Sequence, residues 1–208
     1  MIDLKTFTLF LAAAAVLIAA PGPDILYVIS RGISGGRPAG LVSALGIGSG
    51  EVLQTLLAVL GLAALLQASL AAFLIVKYVG AGYLVYLGIR TIRERNGFAL
   101  RQLSTVSRWG IFRQGVFTNL LNPKAVLFYV TFLPQFVNPL RGHAQLQVVV
   151  LGTTFAVLDM VFLAALAYSV DRAGAWLVSK PKSARRVKYA SGTLLIGLGV
   201  RLALVEKN

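Results

Sequence analysis

Apolar side chains recur along this chain in long runs separated by short polar stretches. Six runs can be delimited, at residues 4–30, 39–66, 70–90, 113–137, 145–170 and 187–205. A helix needs about twenty apolar residues to cross the hydrocarbon core of a membrane, and each run is close to that length. The pattern therefore predicts an all-α polytopic membrane protein with six transmembrane helices, in a single domain covering residues 1–208.

Two of the predicted spans contain a proline that is followed at once by an ionisable residue. The two motifs are Pro21-Gly22-Pro23-Asp24 in the first span and Asn122-Pro123-Lys124 in the fourth. Proline removes a backbone donor and clashes with the preceding turn, so in lipid the freed carbonyls must be satisfied by protein or trapped water. We expect both helices to be broken at these motifs and the breaks to line a cavity.

The two halves of the chain also resemble each other. Residues 77–90 align without a gap to residues 188–201, and the lysine, tyrosine, two leucines, glycine and arginine coincide. A duplicated unit of three spans must insert its second copy upside down, as the inverted repeats of many transporters do. The sequence therefore predicts two inverted three-helix repeats, at about 1–95 and 110–208. Chance similarity between two glycine- and leucine-rich helices is the alternative.

The charge of the chain is concentrated between the apolar runs. The formal net charge is +13, and 14 of the 20 basic residues lie nearest the first, third and fifth connections, against five on the other side. By the positive-inside rule these connections are cytoplasmic and both termini are external. No basic face is interleaved with stacking aromatics, so nucleic acid is not an expected partner.

The two breaks have opposite charges. Gly22 or Asn122 can cap a new half-helix, because the proline that follows suits its first turn. Asp24 is favourably placed on the helix dipole, whereas Lys124 in the matching position is not. If the repeat axis relates the breaks, the two side chains approach each other, and they could then bind the ammonium and carboxylate groups of one substrate.

Two further carboxylates fall within predicted spans, Glu51 in the second and Asp159 in the fifth. An ionised group near the bilayer centre costs about 2.5–3.5 kcal/mol, so these residues are predicted to be paired, protonated or hydrated. A carboxylate that exchanges its proton as the cavity changes sides couples transport to a proton gradient. Asp159 is the first candidate for this role and Glu51 the second, with a structural hydrogen bond as the alternative for Glu51.

Small residues mark one face of the second span. Gly46 and Gly50 are four positions apart, a spacing typical of close helix packing in lipid, with room for a ligand as the alternative. The chain has no cysteine, no histidine cluster and no phosphate-binding glycine loop. We therefore expect no cofactor, no resident metal and no ATP-driven transport.

These motifs together resemble the LysE/RhtB family of amino-acid exporters over essentially the whole chain. Other matching features are the glycines at 46–50, the stretch 132–136 and Asp159. The resemblance implies export of amino acids or derivatives such as threonine, homoserine, homoserine lactone or lysine across the bacterial inner membrane, by proton antiport and without enzymatic activity. We expect the substrate to be bound at Gly22, Pro23, Asp24, Asn122, Pro123 and Lys124.

The residues alone leave other functions open. Asp24, Glu51, Asp159 and Asn122 are hard oxygen ligands, so export of a metal cation or another small solute is an alternative, although Lys124 would repel a metal. An intramembrane enzyme or a helper subunit are further alternatives. The expected partners are the substrate, protons and membrane lipid, with further copies of the chain as an open option.

Overall fold

The structure is a computed structural model that describes residues 2–20, 22–67 and 106–169, together with scattered helical positions within 78–93 and 189–204. The described residues form helices and turns and contain no strand, which confirms the predicted all-α class. Most of the predicted third and sixth spans lies outside the described residues. The layout of six helices in two inverted repeats therefore stays a prediction.

Five α-helices are described. Each of the first four begins or ends at one of the two proline motifs or at a polar N-cap residue. They are α1 (Leu4–Ala19), α2 (Pro23–Gln67), α3 (Arg108–Leu120), α4 (Pro123–Leu127) and α5 (Ala144–Tyr168). Between α4 and α5 the chain forms a π-helical turn, Phe128–Phe132, and two 3-10 turns, Leu133–Phe136 and Pro139–Arg141. Asp3 caps α1 by accepting a hydrogen bond of 2.8 Å from the Thr6 amide.

The chain reverses direction inside α2. Gly36 lies outside the helical region, at φ 72° and ψ −178°, in the left-handed half of φ that favours glycine. The flanking turns then approach closely, because a Cβ placed on Gly40 would lie 3.5 Å from the Gly32 Cα. This reversal lies between the first two predicted spans, residues 4–30 and 39–66.

By length and composition, two described segments could cross a membrane, Ala144–Tyr168 and Pro23–Gly61, and the second of these contains the reversal at Gly36. A third span is formed if Arg108–Leu120 and Pro123–Phe136, which meet at an angle of 48°, are counted as one broken helix. α3 begins at Arg108, about one turn before residue 113, where the fourth span is predicted to start. Ser107 sets this start by accepting a hydrogen bond from the Gly110 amide. α1 is apolar but shorter.

An aromatic core joins α1 and α5 to the π-helical turn that follows α4. The rings of Phe128 and Phe155 stack with centroids 3.8 Å apart, and Phe10 lies 6.2 Å from Phe128. Tyr129 is buried beside them and donates a hydrogen bond to the Gly152 carbonyl. This packing fixes α5 against the second break, so the positions of Phe128 and Phe155, which the sequence left open, lie in the core.

Glycines also join the two segments that are described only in part. A Cβ placed on Gly88 would lie 2.5 Å from the Gly192 carbonyl oxygen, and one on Gly192 would lie 2.8 Å from the Gly88 oxygen. Such separations require direct backbone contact between neighbouring helices, which small residues permit in membranes.

Candidate functional site

The first break separates α1 from α2. α1 ends at Ala19, and α2 begins at Pro23, where the missing amide hydrogen of proline is not needed. The Leu26 amide donates to the Gly22 carbonyl at 3.1 Å, so Gly22 closes the first turn of α2. Asp24 stands in that first turn and is buried, with 4% of its surface exposed.

The second break separates α3 from α4. Asn122 is the N-cap residue of α4, and its side-chain oxygen accepts a hydrogen bond of 3.0 Å from the Lys124 amide. Pro123 occupies the first helical position. The predicted asparagine cap is therefore confirmed. Lys124 is buried, with 7% of its surface exposed, in a first turn whose dipole disfavours a cation.

On one side of the two breaks, α2 and α3 run in opposite directions. Asp24 contacts Asn119, and one turn further along α2 the Tyr27 hydroxyl donates to the Ile111 carbonyl at 2.8 Å. Advancing along α2 thus corresponds to moving back along α3. The two half-helices are antiparallel neighbours.

On the other side of the breaks, α1 and the segment that follows Pro123 are antiparallel as well. The rings of Phe10 and Phe136 meet with centroids 5.3 Å apart, whereas Ala20, at the end of α1, contacts Lys124. The two broken segments therefore lie side by side along their whole described length, and their breaks meet in the middle.

At this junction the two charged side chains have neutral hydrogen-bond partners. One oxygen of Asp24, Oδ2, accepts from the side-chain amides of Asn122 at 2.7 Å and Asn119 at 3.2 Å. The Lys124 Nζ donates to the last carbonyls of α1, those of Leu17 at 3.1 Å and Ala20 at 3.0 Å. The charges of Asp24 and Lys124 interact electrostatically, and each side chain is held in place by the segment that carries the other.

A second pair of acids lies beside the junction. Glu51, from the second half of α2, and Asp159, from α5, are both buried and interact electrostatically with each other. Like charges repel strongly in a buried site, so the two carboxylates are unfavourable neighbours when both are ionised. Both acids also interact electrostatically with the charged residues at the two breaks, Asp24 and Lys124.

Sequence reasoning missed Asn119. It lies near the end of α3, three residues before the Asn122 cap, whose amide donates to the Asn119 carbonyl at 2.9 Å, and its side chain is fully buried. Gln54, which the sequence could not place, fixes this turn by donating from its side chain to the Asn119 carbonyl at 3.1 Å. An amide residue inside an apolar helix was the available signal.

The two glycines of the second span lie against α3. A Cβ placed on Gly46 would lie 2.3 Å from the Phe112 carbonyl oxygen, and one on Gly50 would lie 2.9 Å from the Asn119 Cβ. Both positions bring the backbone of α2 close to α3, and Gly50 does so directly beside the junction. Among the described residues, no group of three or more histidine or acidic side chains is arranged to hold a metal ion.

Comparison with known proteins gives one family. Residues 15–206 match the family model described as LysE type translocator. A homoserine/homoserine lactone efflux protein of Salmonella typhimurium is 33% identical, covering 93% of this chain and 94% of its own. A leucine efflux protein of Salmonella choleraesuis is 31% identical, covering 95% and 94%. A Bacillus subtilis membrane protein, YrhP, is 32% identical, covering 94% and 97%. No solved structure matches this one.

Proposed function

This chain belongs to the LysE type translocator family, and from that premise we propose that it exports amino acids or their derivatives from the cytoplasm across a bacterial inner membrane in exchange for protons. Members of the family are efflux proteins, so the chain is a membrane transporter and not an enzyme. Related proteins are named for homoserine, homoserine lactone and leucine, and these are the substrates to test first. Threonine and lysine follow as further members of the same class.

The observation that carries the proposal is the meeting of the two breaks. It brings a buried carboxylate, Asp24, and a buried ammonium, Lys124, to one junction inside an apolar bundle. An amino acid presents the complementary pair of charges. In the proposed complex, Asp24 binds the substrate ammonium, and Lys124, with the Asn122 cap and the backbone of Gly22, faces the carboxylate. Pro23 and Pro123 each begin the second half-helix of a broken segment, so neither segment is continuous at the proposed binding site.

Proton exchange is proposed to use the second acid pair. Glu51 and Asp159 are buried acids whose charges act on each other and on Asp24, and we assign one exchangeable proton to this pair. The ammonium group of the substrate and a second proton each neutralise the negative charge of this acid cluster, so the binding of one weakens the binding of the other. A site that binds either the substrate or the proton, but not both at once, exchanges one for the other. Asp159 is the first candidate for the proton that travels, and Glu51 is its partner.

The orientation follows from the basic residues. We place the first, third and fifth connections in the cytoplasm and both termini outside, with inverted repeats at about 1–95 and 110–208. Reporter fusions after residues 36 and 208 test this placement. Cytoplasmic activity at 36 and external activity at 208 are expected, and the reverse pattern would overturn it.

The test of export uses purified protein in liposomes loaded with labelled leucine, homoserine or homoserine lactone. Wild-type protein should release at least one of them faster when the outside is made acidic, because protons then drive the exchange. Asp24→Asn should abolish the release. Thr154→Val is the matched control, since Thr154 is only half-buried on α5 and its hydroxyl donates to the Val150 carbonyl of the same helix. Release that is equal with and without protein for every candidate would remove the proposal.

A further inference from the structure

Among the described residues, three buried side-chain oxygens at or beside the junction have no hydrogen-bond partner. Two belong to the junction itself, Oδ1 of Asp24 and Oδ1 of Asn119, on side chains with 4% and 0% of their surface exposed, and the third is Oε2 of Glu51. Buried polar atoms in proteins are nearly always paired, and those that are not usually serve a purpose. Two such acceptors on neighbouring side chains indicate a ligand that donates hydrogen bonds.

The hydrogen bonds around Asn119 fix where its oxygen points. Its side-chain nitrogen donates to Asp24 Oδ2, which determines the orientation of the amide, since the reverse orientation would place two acceptors together. The oxygen faces α2, because a Cβ built on Gly50 would lie 3.0 Å from it. Asn119 therefore contacts Asp24 through its nitrogen and the backbone of α2 at Gly50 through its oxygen.

The charges around these oxygens favour a cation. Asp24, Glu51 and Asp159 interact electrostatically with one another, and Lys124 is the cation that acts on all three. Two of the donors of Lys124 are already engaged by carbonyls of α1. The ammonium end of a substrate thus meets open acceptors, whereas the carboxylate end meets a lysine that is largely occupied.

We propose that Asn119 is a substrate-binding residue and that its oxygen, together with Asp24 Oδ1, binds a primary ammonium group by two hydrogen bonds. This inference rests on the export function proposed above and deepens it. The substrate class becomes compounds with a primary ammonium group, and a free carboxylate is not required. A quaternary nitrogen has no donor for either oxygen and is excluded.

The test compares three inhibitors of labelled-leucine release by wild-type protein in liposomes, with labelled homoserine in its place if leucine is not carried. They are unlabelled leucine, leucine methyl ester and N,N,N-trimethylleucine. The ester should inhibit within about threefold of leucine, and the trimethyl compound at least about 100-fold more weakly, as expected when charged hydrogen bonds are lost. Inhibition by the trimethyl compound within about tenfold of leucine would overturn the inference. Absence of release for every amino acid would instead count against the export function itself.

The variant Asn119→Leu adds a second readout. It keeps a similar side-chain volume but removes the acceptor, so half-maximal release should need at least about tenfold more substrate, with Thr154→Val unchanged. Unaltered dependence on concentration in folded Asn119→Leu would contradict the assignment. Replacing sodium by choline on both sides separates the ammonium from a metal cation. Release should be unaffected, and an absolute requirement for sodium would assign the two oxygens to that ion and overturn the proposal. If the variant does not fold, the inhibitor series decides alone.

Discussion

The substitution Asp24→Asn separates a functional carboxylate from a structural one. Both hydrogen bonds that Asp24 accepts, from Asn119 and Asn122, end on the same oxygen, Oδ2. An asparagine at position 24 can keep both of them on its single side-chain oxygen. Its nitrogen then takes the place of Oδ1, which has no hydrogen-bond partner among the described residues. The variant is therefore close to isosteric and loses only the charge.

The expected effects on stability and transport have opposite signs. An ionised carboxylate near the bilayer centre costs about 2.5–3.5 kcal/mol, and its attraction to Lys124 offsets part of that cost. Lys124 still has a counter-charge in the variant, because it also interacts with Glu51 and Asp159, so the variant should be about 1–2 kcal/mol more stable. For a chain of this size that is a rise of about 2–8 °C in the thermal midpoint. Removal of one member of a buried ion pair costs about 3–5 kcal/mol, so affinity for the substrate ammonium should fall by between about 10²- and 10⁴-fold.

The two quantities are measured on the same purified samples. Thermal unfolding in detergent gives the midpoint, and release from liposomes over a range of internal substrate concentrations gives the apparent affinity. Thr154→Val controls for a polar substitution outside the junction. Transport by Asp24→Asn at more than about a tenth of the wild-type rate would refute the reasoning. A lower midpoint would show that the carboxylate is structural.

The remaining predictions concern the other parts of the junction. Lys124→Met leaves the last carbonyls of α1 without their donor and the buried acids without their cation, so stability should fall by about 3–5 kcal/mol, seen as a lower thermal midpoint. Gly46→Ala forces a Cβ to within 2.3 Å of the Phe112 carbonyl oxygen and should cost about 1–3 kcal/mol, whereas Gly61→Ala, whose Cβ would meet nothing within 4 Å, should cost nothing measurable. Asp159→Asn should make substrate release insensitive to an imposed pH gradient while counterflow between labelled and unlabelled substrate continues, and a retained pH response would shift the proton role elsewhere.

The two breaks were predictable because proline acts locally. Its missing donor and its fixed backbone angle are properties of the residue, so the ends of α1 and α3 and the start of α4 follow from the positions of the prolines. The cap at Asn122 follows for the same reason, since it needs only the amide two residues further on. The reversal at Gly36 likewise lies in the short stretch between the first two apolar runs, residues 4–30 and 39–66.

The partners of the charged side chains were not predictable. The sequence suggested that Asp24 and Lys124 would face each other, and the structure gives each of them neutral hydrogen-bond partners from the opposite segment. The partners of Lys124 depend on which carbonyl groups of α1 lie close to it. This is a property of the packed fold and not of a sequence motif. Asn119 was missed because it belongs to no motif. Its importance arises from lying one turn before the cap, where it reaches Asp24.

The most direct test of an exchange mechanism at this junction follows protons and substrate in the same vesicles. Liposomes are loaded with labelled substrate and an internal pH indicator, and release is started by dilution without any imposed pH gradient. The account predicts that substrate leaving through wild-type protein acidifies the interior, and that Asp24→Asn shows neither movement. Substrate release with no change of internal pH, or undiminished release through Asp24→Asn, would contradict it.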